Sequence, residues 1–209
     1  SFLSKNLIQS TSFNLSLASE AISKNLLPVI SLSQWCKSNL KLVEYIEVAN
    51  KVKAAADDYN ASQCIETKKA YEDAKLALRQ QSLDSWKRLL EEYRNNPSSL
   101  YINRVMVSNL EGKYLQISPV STYHAVDVYD TITGFSTFDQ QLSSNKIIWT
   151  GLEIDPFSDQ KQTQILPLIH PVYNSYKNKV IGWSYLSLST NIITDPFLNY
   201  DLPSDSALL

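Results

Sequence analysis

Two histidines, His124 and His170, and two cysteines, Cys36 and Cys64, are the scarce residues on which nucleophilic or metal chemistry would have to rest in this 209-residue chain. A hydrolase needs a nucleophile, a base within hydrogen-bond reach and a group that orients the base. Ser121, His124 and Asp127 lie close enough in sequence to make such a set on paper. Serine is too common here for that to be specific, and no G-x-S-x-G elbow is present. His170 sits in Leu-Pro-Leu-Ile-His-Pro-Val, an apolar run bracketed by prolines, and reads first as a hydrogen-bonded structural residue. Two cysteines without a nearby His pair do not make a four-ligand zinc site. They are either one disulfide between neighbouring helices or two separate thiols. The carboxylate pairs Asp57-Asp58 and Glu91-Glu92 fall at polar helical positions and read as solvated faces. Asp-Pro-Phe occurs twice, at 155–157 and 195–197, where Asp accepting a backbone N–H and Pro opening a helix favour a turn or cap over a metal ligand. No metal and no cofactor is expected.

Composition narrows the remaining classes. The formal net charge is −2, and Lys and Arg are scattered, so the basic face a nucleic-acid binder needs is missing. Only four glycines occur, with no GxGxxG and no GxxxxGK[ST], which argues against nucleotide-dependent chemistry. Twelve Tyr and four Trp are many, and each offers apolar area with a polar tip. No apolar run reaches the ~18 residues of a membrane span. The start, SFLSKNLIQS, lacks the basic and apolar regions of a secretion signal. A chain that opens inside a helical pattern without an initiator Met reads as a piece of a longer protein.

Periodicity gives the elements that must position any site. Leu7, Leu15, Ala18, Ile22, Leu26 and Val29 form one stripe of an amphipathic helix, with Pro28 expected to kink or break it. A second helical run covers 32–56, carrying Trp35, Leu42, Ile46 and Ala49, with Asp57–Ser62 as an interruption. A third covers 62–81, and Ser82 is expected to cap a fourth over 83–96 that stops at Asn95-Asn96-Pro97. Then the period changes. Strands are expected at 101–108, 113–118, 146–153, 164–173 and 179–189, with hairpins closed by Asn-Leu-Glu-Gly and by Asn-Ser-Tyr-Lys-Asn-Lys. Residues 119–145 form a long aromatic and polar connection with a short helix near 136–143, and long connections of this kind are often functional. The layout is α+β: long N-terminal helices packed on a mostly antiparallel five-stranded sheet.

Three patches carry a family likeness: VMVSNLEGKYLQIS, IIWTGLEIDPF and, most specifically, ILPLIHPVYNSYKNKVIGWSYLSLSTNIITDPF. With the element order they resemble the extracytoplasmic Cache sensor domains, relatives of the PAS fold, and among them those of YesM-like sensor histidine kinases. The likeness is strong over 100–200 and loose over 1–30; residues 31–99 match only as generic helix. It implies an N-terminal helical region over 1–99 with a long signalling helix, a PAS-like (Cache) sensor sheet over 100–200, and an exit segment, 201–209, toward a membrane-proximal part. Two features depart from it. The sequence stops at Leu209, where the second sheet domain of double-Cache members would begin, so a single and a double Cache unit both stay open. Trp-Lys-Arg-Leu-Leu-Glu-Glu-Tyr does not reproduce the Tyr…Arg-x-Trp-Tyr arrangement of amino-acid-binding double-Cache receptors, so amino-acid binding is not carried over.

The resemblance implies a pocket between the sheet and the long connection. Its candidate lining is Tyr123, Asp127, Tyr129 and Asp130 from the connection, Trp149 from the middle strand, and His170, Tyr173, Trp183 and Tyr185 from the closing hairpin. It further implies a sensor of a small polar molecule in a two-component system, at the cell membrane with this part extracytoplasmic. Tethering would come from flanking transmembrane helices, with a homodimer through Leu7, Leu15, Ala18 and Ile22. Catalysis would lie elsewhere in the full-length protein. The alternatives are the sensor of a chemotaxis receptor, or an interaction domain that senses through a partner protein.

Overall fold

Three long helices lead the chain: α1 (Phe2–Ser38), α2 (Leu40–Ser62) and α3 (Ile65–Arg94). The computed structural model describes residues 1–118, 127–158 and 162–199. α1 runs unbroken through Pro28, against the expectation of a kink or break. Proline withholds the N–H that would bond the carbonyl one turn back. Residues just after α3 support the carbonyls around this gap: the Ser98 hydroxyl donates to Asn25 O (2.6 Å) and the Asn96 amide to Pro28 O (2.9 Å). The chain turns at Asn39, whose extended backbone and Lys41-accepting side chain start α2, and again at Gln63, in the left-handed region at φ 52°. Two further expectations are corrected. Asp57–Ser62 continue α2 instead of interrupting it, and Ser82 lies inside α3, where its hydroxyl bonds back to Leu78 O at 2.6 Å in place of capping a new helix.

After a 3₁₀ turn at Ser99–Tyr101 come β1 (Ile102–Asn109) and β2 (Tyr114–Ile117), then the short helices α4 (Val128–Thr133) and α5 (Phe138–Leu142). β3 (Glu153–Ile154), β4 (Gln164–Tyr173), β5 (Val180–Ser189) and α6 (Asn191–Asn199) complete the described chain. The sheet has five strands in the order β2-β1-β5-β4-β3, and every pairing is antiparallel. The α+β class read from the sequence therefore holds.

The middle strand does not. Only Glu153 and Ile154 pair with β4; 146–152 is irregular. β4 shows why. Ile165, Pro167, Ile169, Pro171 and Tyr173 alternate with the residues whose backbone points at β5, so the two prolines remove donors from the outer edge. The N–H between them, on Ile169, is taken by Gln141 Oε1 of α5 at 2.8 Å. Between Pro167 and Pro171 no N–H donor is left for a longer partner strand, only carbonyl acceptors.

Alternation along the strands makes two cores. Val105, Val107, Leu115, Leu168, Leu186 and Leu188 face the helices, meeting Val29, Leu32, Leu42, Ile46 and Leu89. Met106, Ile169, Trp183 and Tyr185 face the other way, onto Val128, Ile132, Phe138 and Phe157. Gly182 lets the helix layer come this close: a Cβ there would stand 2.2 Å from Ser108 O and 2.9 Å from Ile46 Cδ1. α6 packs on α1, and Ala18 is fully buried, so this member of the expected dimer stripe is already used within the chain. Leu7 is exposed, together with Phe2, Leu3, Ile8 and Phe13; Leu15 and Ile22 are half-buried. Cys36 and Cys64 are free thiols, the first buried in the helix-side core and the second at the α2–α3 corner.

Candidate functional site

The sheet face turned away from the long helices is roofed by α4 and α5. Asp127 starts α4 by accepting the Asp130 N–H at 2.9 Å, so the carboxylate is spent on a helix cap. That cap aims Tyr129 at the sheet, where its ring stacks on Trp183 with centroids 6.0 Å apart. Its hydroxyl donates to Leu110 O in the β1–β2 turn. Phe138 meets the same indole edge-on at 5.5 Å, and Phe135 stacks on Tyr185 at 6.1 Å. Near Trp183 the face is therefore closed by aromatic contacts.

Its polar part lies further along. Arg104 of β1 is opposite Ser187 of β5 and only 4% exposed. Its guanidinium sits 4.1 Å from the Phe157 ring centroid, a cation–π geometry, and Nη1 donates to Gln116 Oε1. Burial pulls the Arg104 pKa down, while Tyr185 and Asp155 lie close enough to favour its charge. Asp155 is fixed by accepting the Phe157 N–H at 3.0 Å. Tyr185 is fully buried, and among the described residues no hydrogen bond of good geometry reaches its hydroxyl, whose polar neighbour on the same face is Ser187. Burial pushes the phenol well above its usual range, so it is a neutral donor and acceptor. A cation held over a ring beside an unused hydroxyl is chemically suited to hold a small polar or anionic group.

The residues expected to line one pocket are thus spread over several places. Tyr129, Trp183 and Tyr185 share this face. Asp127 and Asp130 are exposed on α4. Trp149 is 41% exposed on the irregular stretch before β3. Tyr123 lies outside the described residues, as do Ser121, His124 and the exit segment 201–209. His170 points to the opposite side, between Leu168 and Val172 of the helix-side core. Contrary to expectation neither of its ring nitrogens is hydrogen-bonded among the described residues, although the residue is 2% exposed. Burial, and secondarily the Lys37 ammonium, push its pKa down to about 4. Tyr173 follows a β-bulge after Val172 and lies near Lys37, its hydroxyl donating to Asn145 Oδ1. The first Asp-Pro-Phe forms a turn. The second lies inside α6, where Asp195 accepts the Tyr101 hydroxyl at 3.1 Å.

Sequence reasoning missed Arg104, Asp155 and Phe157 as members of this face. The available signal was register: Arg104 is two residues before Met106, hence on the same side of β1. Among the described residues, no group of three or more His, Cys, Asp or Glu could hold a metal ion, and no helix is long and apolar enough to cross a membrane.

No protein-family model matches the chain, and no curated protein does. Among solved structures the chain is similar to the ligand-binding domain of Campylobacter jejuni chemoreceptor Tlp3 in complex with L-valine, at 16% identity over 80% of this chain and 65% of that one, with a TM-score of 0.40. It is similar to the sensory domain of the same receptor with isoleucine bound, at 15% identity over 74% of this chain and 62% of that one, TM-score 0.39. A third is the ligand-binding domain of the Pseudomonas aeruginosa PAO1 amino-acid chemoreceptor PctC in complex with GABA, at 15% identity over 54% and 47%, TM-score 0.37. The chain spans less than two thirds of the length of these domains. Likeness at this level assigns neither ligand nor output to it.

Proposed function

We propose that this chain is the extracytoplasmic ligand-sensing domain of a bacterial transmembrane receptor, binding a small polar molecule on the sheet face beneath α4 and α5. The observation that carries the reading is the fully buried Tyr185 hydroxyl, without a geometric hydrogen-bond partner among the described residues, on the same face as the cation–π-held Arg104. An unmet hydrogen-bonding group in an apolar setting costs about 1–3 kcal/mol, a cost that a ligand can relieve. The sequence resemblance supports a sensor histidine kinase as the full-length protein, with phosphotransfer in a separate part and none here. Flanking helices beyond the described residues would tether it to the membrane. A ligand acts across a membrane only by favouring one of two arrangements. α1, packed on β4 and β5, is the element whose shift would carry the difference. The exposed Phe2, Leu3, Leu7, Ile8 and Phe13 give its N-terminal half an apolar surface for pairing with a second copy.

A thermal-shift screen against sugars, amino acids, organic acids and peptides tests this. A ligand at a hundred times its dissociation constant adds about 2.7 kcal/mol to the folded state. A stabilising ligand whose effect falls in Tyr185→Phe and Arg104→Gln supports the reading. Ligands that stabilise those variants as strongly as the parent protein remove the site from this face, and a panel without any stabilising compound counts for sensing through a partner protein.

A further inference from the structure

A concavity lies where the α1–α2 corner meets the β4–β5 turn. Its volume is about 510 Å³, within the ~300–1,000 Å³ of small-molecule sites. Leu40, Val43 and the Tyr173 ring are its apolar lining, and Lys37 and Lys177 line it as well. None of the described residues lining it is acidic. Among the described residues neither lysine is in an ion pair; the Lys37 ammonium instead lies 5.4 Å from the centroid of the Tyr173 ring. Glu47, the carboxylate bonded to the β4–β5 turn, is engaged by the Ser175 hydroxyl and amide at 3.1 and 3.4 Å.

Donors line the cleft, and among the described residues no carboxylate lines it with them. Asn145 spends its carbonyl oxygen on the Tyr173 hydroxyl, which leaves its amide N–H groups as donors. α2 begins at Leu40 on the cleft wall, and its first turn holds no acidic residue, so the positive end of a 23-residue helix adds to the field. The contrast with the cleft beside Asn50 is informative: there Lys53 is already answered by Glu111 at 3.8 Å. Here, among the described residues, neither lysine has a carboxylate within ion-pair distance.

We propose that this cleft is a second binding site, for a small organic anion that carries one carboxylate on a compact apolar body. The carboxylate takes the two ammonium groups and the Asn145 amide, and the body covers Leu40, Val43 and Tyr173. Such an anion ties the end of α1, through Lys37, to the turn that closes the sheet. The site is independent of the reading given above, because it is built from the helix side and shares no residue with the Arg104 and Tyr185 face.

Benzoate and its neutral counterpart benzamide are the probes, followed by amide chemical shifts of the intact chain. Benzoate is expected to shift Leu40, Val43 and Ser175 and to bind more tightly than benzamide. The Lys37→Met/Lys177→Met double variant is expected to lose about tenfold or more of the benzoate affinity, as removal of charge-assisted contacts implies. A Lys68→Met/Lys69→Met variant of equal net charge should keep it. Equal binding of benzoate and benzamide overturns the proposal, as does an unchanged affinity in the Lys37/Lys177 variant or the absence of any shift. Shifts confined to Ile169, Trp183 and Tyr185 would also overturn it while supporting a site on the opposite face, so the two proposals fail separately.

Discussion

His170 makes stability depend on pH in a way that can be worked out from its surroundings. The residue is 2% exposed, its ring bonds none of the described residues, and it lies opposite Ser184, whose buried hydroxyl likewise meets no partner among them, and feels the Lys37 ammonium. Its pKa falls from 6.5 to about 4. The folded state therefore keeps the ring neutral where the unfolded chain takes up a proton. Stability is fully present above pH 6.5 and is lost as pH falls toward about 4, below which both states are protonated and the loss stops. At about 1.4 kcal/mol per pH unit the loss is about 2 kcal/mol at pH 5 and about 3 kcal/mol by pH 4.

The assay is urea unfolding at a series of pH values for the parent protein and for His170→Gln, which cannot titrate. Carboxylates such as Glu66 and Glu72, held below their usual range by hydrogen bonds, also lose stability as pH drops, but equally in both proteins. The difference between the two curves isolates the histidine. It should open below about pH 6.5 and reach about 3 kcal/mol. Lys37→Met should narrow it only slightly, because burial is the larger cause. A difference that stays constant with pH would refute the reasoning, since a ring that titrates alike in both states is not buried neutral.

Gly182→Ala should be strongly destabilising, by about 3 kcal/mol, at the upper end for overpacking, because the added Cβ meets the Ser108 carbonyl as well as a movable Ile46 methyl. Urea midpoints at neutral pH measure it, and a loss below about 1 kcal/mol would mean the strand relaxes instead. Iodoacetamide should label one thiol in the folded protein. Cys64 is held below its usual pKa by Thr67, whereas burial pushes Cys36 up; Cys36 should react only after denaturant is added, as peptide mass analysis would reveal.

Local sequence determined the helix-then-sheet order, both hairpins and the extent of β1, β2, β4 and β5. Those features depend on period and turn residues, which act over a few positions: Val105 and Val107 alternate with Met106, and Asn174 to Lys179 turn the chain wherever it is placed. Tertiary structure decided the rest, because the deciding partner was always distant in sequence. Pro28 leaves α1 unbroken, with Asn96 and Ser98 arriving from beyond α3 at the neighbouring carbonyls. Pro167 and Pro171 were visible in the sequence, yet they cut the middle strand to two residues only because pairing with β5 turns their side of β4 outward. The candidate site divides the same way. Trp183 and Tyr185 were legible as alternating aromatics. A charged Arg104 in a strand reads as solvent-facing until Phe157, more than fifty residues on, covers it. Periodicity tells which residues share a face; what lies against that face is set by packing between elements that the chain brings together only when it folds.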